Sequence, residues 1–125
     1  MKWGNINEIQ PENKLLYWVL MYVLAPYFEN PIDHWLKDIF ANGRGLGGDP
    51  GWSIEYVSDQ PKEGNYHIWA DPDMSGIYPD EKFYNIETVH SAIKESLLAL
   101  VDVYPNKTGE VKDVIRRYNL SENSG

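Results

Sequence analysis

WSIEYVSDQPKEGNYHIWA, residues 52–70, decides the fold. Trp52, Ile54 and Tyr56 alternate with Ser53 and Glu55, and Tyr66, Ile68 and Ala70 alternate with His67 and Trp69. That period of two belongs to a strand with one face on a core, because successive side chains point to opposite faces. The polar run between them carries Pro61 and Gly64, residues suited to a turn. Two such runs joined by a turn read as an antiparallel hairpin.

Outward from the hairpin, residues 82–86 (KFYNI) add a short third strand, and helices flank the sheet on both sides in sequence. Pro11, Glu12 and Asn13 open the first helix, whose apolar run continues over residues 15–25 until Pro26. In residues 29–43, Asn30 suits the cap, Pro31 the first helical position and Asp33 the first turn. Ile32, Trp35, Leu36, Ile39 and Phe40 then form one stripe, and Asn42-Gly43 ends it. The third helix starts near Asn85, with Glu87 in its first turn and Val89, Ile93, Leu97, Leu100, Val101 and Tyr104 on one side. Tyr104-Pro105 ends that helix, since a residue before proline avoids helical backbone. A fourth presents Val111, Val114, Ile115 and Tyr118, with Arg116 and Arg117 near its C-terminal end. Residues 42–51 (NGRGLGGDPG) read as a flexible connector. Their glycines lack the Gly-Lys-Ser/Thr of a phosphate loop, and a strand follows where that loop needs a helix. The expected class is α+β: a small antiparallel sheet of two or three strands packed on about four helices, in the order ααββ(β)αα. One domain is expected over residues 1–120, with a frayed tail at 121–125.

The chain has 125 residues, enough for one domain with a core. It has no cysteine, which excludes disulfides, thiolate catalysis and cysteine-based metal centres. The start lacks a basic region followed by an apolar run, and residues 15–25 are about half of the roughly 20 a membrane span needs. A soluble cytoplasmic protein is expected.

The net charge is −8. Phosphate backbones and anionic membranes are bound through Lys and Arg, so neither is an expected ligand. The charge is concentrated. Residues 49–87 hold nine carboxylates against only Lys62 and Lys82, and the rest of the chain is nearly balanced. The same stretch carries Trp52, Tyr56, Tyr66, Trp69, Tyr78, Phe83 and Tyr84. Negative potential speeds the approach of a basic protein, and aromatic side chains anchor it once docked. The expected binding residues are Glu55, Asp59, Trp69, Asp71, Asp73, Tyr78, Asp80, Glu81 and Tyr84. The competing reading is that the carboxylates are merely solvated while the aromatics fill the core.

Asp71, Asp73, Ser75 and Gly76 follow the spacing of a calcium loop. Position 12 of that loop should be a bidentate Glu and is Lys82; Pro72 and Pro79 stiffen the segment, and a strand precedes it. Turns with carboxylates facing outward fit better. The three histidines, His34, His67 and His90, show no helical ligand spacing, and Ser53 and Ser75 lack a nucleophile elbow. His67 with Asp71 is the one pairing that suggests a small hydrolase or metal-dependent enzyme. No enzymatic activity and no cofactor are expected.

Residues 78–118, YPDEKFYNIETVHSAIKESLLALVDVYPNKTGEVKDVIRRY, resemble the ending of several immunity proteins of bacterial contact-dependent-inhibition and other polymorphic toxin systems. The shared pattern is an acidic aromatic loop, a helix, a Tyr-Pro break and a short charged helix; the layout of the whole chain is similar too. The resemblance implies inhibition of one cognate toxin, often a basic nuclease acting on tRNA, rRNA or DNA. It transfers no binding residues, because such proteins use different surfaces for different toxins. The alternative class is a small regulatory module that binds a protein or peptide.

Overall fold

The computed structural model describes residues 5–24, 32–33, 36–40, 46–48, 51–57 and 66–120. At its centre is the hairpin of strands β2 (Trp52–Tyr56) and β3 (Tyr66–Ala70). Trp52 faces Ala70, Ile54 faces Ile68 and Tyr56 faces Tyr66 across the pair. Strand β4 (Glu81–Tyr84) adds to β3, and strand β1 (Leu46–Gly48) adds to β2. All pairings are antiparallel, and the spatial order is β1-β2-β3-β4. The third strand is therefore where the sequence places it. Leu46–Gly48, expected as part of a connector, is instead an edge strand.

The alternation of side chains decides which face is buried. Trp52, Ile54, Tyr66, Ile68, Ala70 and Tyr84 are buried on the inner face. Helix α1 (Lys14–Leu24) packs against that face through β2 and β3. It follows a single 3-10 turn over Pro11–Asn13, and eight of its residues are buried. Each large apolar side chain removed from water this way contributes about 1.5–3 kcal/mol. Helix α2 (Leu36–Phe40) lies on the same side: Leu36 and Ile39 are buried, and the Ile39 carbonyl accepts the Tyr66 hydroxyl at 3.2 Å. The proposed cap Asn30 and the stripe residue Trp35 lie outside the described residues.

Helix α4 (Ile86–Val103) begins where expected, with Asn85 Oδ1 accepting the Thr88 N–H at 2.8 Å. Its buried side includes the small residues Ala92, Ser96 and Ala99 besides the large stripe, and α1 packs against this helix. Helix α5 (Thr108–Arg117) follows the 3-10 turn Pro105–Lys107 and buries Val111 and Val114. It is tied to the segment before α2. Glu110 accepts the Ile32 N–H at 2.6 Å, and Asp33 accepts both the Arg117 guanidinium at 2.5 Å and the Tyr118 hydroxyl at 3.0 Å. Phe40 stacks on Tyr118 at 4.2 Å between ring centres. The class is α+β with a small antiparallel sheet. Among the described residues, no helix is long and apolar enough to cross a membrane.

Candidate functional site

If the inner face of the sheet is core, the outer face is set by register. Ser53, Trp69 and Glu81 form one row across β2, β3 and β4, and Glu55, His67 and Phe83 form the next. Glu55 and Glu81 are exposed, while the other four are half-buried. His67 reaches diagonally to Glu81, with Nε2 and Oε1 2.9 Å apart. A carboxylate only accepts, so His67 donates from Nε2. The His67 ring also meets Phe83 at 5.0 Å. The outer face is thus three aromatic rings bordered by two carboxylates.

Beside it lies the β3–β4 connection. Asp71 caps the single turn of helix α3 (Pro72–Ser75), its Oδ1 accepting the Asp73 N–H at 2.9 Å. The Asp71 N–H donates to the Gly51 carbonyl at 2.9 Å, which ties this connection to the turn before β2. Gly76 closes α3 with φ of 68°, the left-handed conformation in which glycine carries no steric penalty. Ser75 Oγ accepts the Ile77 N–H at 3.1 Å. The Ala70 N–H then donates to the Asp80 carbonyl at 2.9 Å, so the loop is clasped at its base. From this loop Met74 and Tyr78 protrude, 56% and 75% exposed. The calcium-like spacing therefore serves local turns: Asp71 and Ser75 spend an oxygen each on backbone N–H groups. No cluster of three or more metal-ligating side chains occurs among the described residues.

Glu55, Trp69 and Glu81 come together on the outer face, with Asp71, Asp73, Tyr78 and Asp80 in the adjoining loop. Tyr84 does not belong to this surface. It is 4% exposed on the inner face, and its hydroxyl donates to the Glu12 carbonyl at 2.9 Å. Burial pushes its phenol up to about 12, so it remains a neutral donor. The pairing Tyr66↔Tyr84 fixes this: Tyr84 shares the face of buried Tyr66, and Phe83 takes the outward position instead. Asp59 lies outside the described residues. Sequence reasoning missed His67, Phe83 and Met74 as surface groups; for the first two, strand alternation combined with register is the signal.

The position of Lys82 matters as much. It is the only described cation between residues 49 and 87, and it stands on the inner side of the sheet. Its ammonium donates to the Glu12 carbonyl at 2.9 Å and sits 5.4 Å from the Tyr84 ring centre. No Lys or Arg therefore stands among the six outer-face residues.

His90 is half-buried on α4 against Phe40 at 5.0 Å, and burial lowers its proton affinity. His34 lies outside the described residues. Tyr17 donates to Glu95 at 2.9 Å, and burial together with that carboxylate holds its phenol protonated. A cleft of about 330 Å³ lies between Ile6, Pro11 and Lys14 on one side and the Gly76 to Tyr78 stretch on the other. Among the described residues that line it, Lys14 and Tyr78 are the ionisable ones.

No family model matches the chain, and neither the curated proteins nor the solved structures searched contain a match to it.

Proposed function

We propose that this chain is a cytoplasmic immunity protein: it binds a cognate bacterial toxin, a basic nuclease, and neutralises it through the outer sheet face and the adjoining loop. The observation that carries this reading is the distribution of charge. Glu55 and Glu81 border an aromatic floor, Asp71, Asp73 and Asp80 lie in the next loop, and the one described lysine of the segment is turned away. A nuclease that grips phosphates presents Lys and Arg around its active centre. A carboxylate surface attracts that centre from a distance, and Trp69, Met74 and Tyr78 give it apolar contact after docking. The chain then occupies the place of the nucleic acid, with no chemistry of its own.

The test is a pull-down from the source cells with tagged chain, eluted in steps of rising salt. The expected result is one basic partner, toxic when expressed alone and harmless when co-expressed with this chain. Variant D73K/D80K/E81K should lose both the partner and the protection. Absence of such a partner, or full protection by the triple variant, overturns the reading.

A further inference from the structure

Resting on the proposed reading of a basic partner, the outer face allows its recognition chemistry to be named. Trp69 stands directly opposite Glu81, and Phe83 is its diagonal neighbour. Glu81 is held by His67 through Oε1 alone at 2.9 Å, leaving Oε2 for a second donor, and its side chain is 61% exposed. Across the row Ser53 is small and polar, and the far end of the indole reaches the turn before β2, with Cη2 3.8 Å from the Cβ position of Gly51. The register thus sets a half-buried indole directly opposite a carboxylate that His67 orients.

We infer that Trp69, Phe83 and Glu81 form a seat for an arginine side chain of the partner. A guanidinium is planar and weakly hydrated; it stacks on an aromatic face while its N–H groups bond a carboxylate in the same plane. A lysine ammonium is a strongly hydrated point charge that cannot lie flat on the ring and meet the carboxylate in the ring plane at once. The His67 contact fixes Glu81 before binding, which lowers the entropy lost on docking. Discrimination between the two cations thus belongs to this seat, whereas Asp73 and Asp80 act by charge alone and treat both alike.

The test uses capped hexa-arginine and hexa-lysine peptides, titrated calorimetrically into the full chain at one ionic strength. Hexa-arginine should bind about fivefold tighter, the size of one exposed cation–aromatic contact. Variants W69T and E81Q should each bring the ratio close to one; E81Q alters an exposed residue and guards against misfolding of W69T. Variant D73K/D80K should weaken both peptides and leave the ratio unchanged. Equal affinity of the two peptides for the native chain overturns the seat while leaving the acidic-surface reading intact. An arginine preference that survives both W69T and E81Q likewise overturns it. If neither peptide binds, the seat fails, and the reading beneath it is decided by the pull-down alone.

Discussion

Asp71 is the residue on which tests of the acidic surface turn, because it has a second duty. Its Oδ1 accepts the Asp73 N–H at 2.9 Å as the cap of α3, and its side chain is only half exposed. Replacing a helix cap by alanine costs about 1 kcal/mol. In Asp71→Ala the backbone bond from residue 71 to Gly51 survives, so the loss is confined to the cap and the loop it shapes. With a urea dependence of about 1.5 kcal/mol per molar, the midpoint should fall by about 0.7 M. Asp71→Asn keeps an accepting oxygen at the same place and should stay within about 0.2 M of the native chain. The measurement is equilibrium urea unfolding followed by far-UV circular dichroism, with the slope checked for constancy. A midpoint for Asp71→Ala equal to that of the native chain refutes the capping role. In that case Asp71 is free to serve the surface, and reversing it together with Asp73, Asp80 and Glu81 becomes a clean binding test. If the midpoint falls as expected, Asp71 must be left out of such variants, as in D73K/D80K/E81K.

Three further outcomes are expected. Tyr84→Phe removes a hydrogen bond to the Glu12 carbonyl, whose residue is exposed enough for water to replace the donor. It should cost about 0.5–1 kcal/mol in urea unfolding and leave partner affinity unchanged; a loss of affinity at unchanged stability would return Tyr84 to the interface. His90 has its proton affinity lowered by burial relative to the ordinary 6.5, so the unfolded chain takes up a proton first as pH falls. Its contribution is fully present above about 6.5 and is lost as pH falls through the folded value; His90→Leu should therefore flatten the decline in urea midpoint between pH 7.5 and pH 5, and an unchanged slope counts against it. Gly51 has φ of 138°, and a Cβ there would lie 3.1 Å from the Asp71 Cβ. Gly51→Ala should destabilise by about 1–3 kcal/mol, read as a lowered thermal midpoint; an unchanged midpoint would mean that the turn before β2 relaxes without cost.

Much of the fold was legible because its parts are periodic. The hairpin could be read from parity alone, and the face assignments of residues 52–56 and 66–70 hold in the registered pairs. A helix start near Asn85 and Pro105 as a stop needed only local chemistry. Strand β1 escaped because three residues, two of them glycine, carry no pattern; only pairing with β2 defines them. Helix α3 escaped for a similar reason, since one capped turn of helix and a polar turn look alike in sequence. The surface was legible as charge and not as geometry. Tyr84 was assigned outward because the parity of a short strand is fixed by its neighbour across the sheet, which no single sequence displays. Phe83 was passed over for the same reason, and His67 because its partners Glu81 and Phe83 come from the neighbouring strand.

The division of the sheet into a buried and an open face bears on how such a chain changes over generations. Residues 53, 55, 67, 69, 81 and 83 touch the solvent side, while their immediate neighbours 52, 54, 66, 68, 70 and 84 hold the core. A single nucleotide change on the open side alters the exposed surface, and with it recognition under the proposed reading, and leaves the buried side chains of the inner face unchanged. Surface chemistry and foldability are thereby inherited almost separately along the same three strands, one residue apart. A lineage built this way can vary its open face without rebuilding its scaffold.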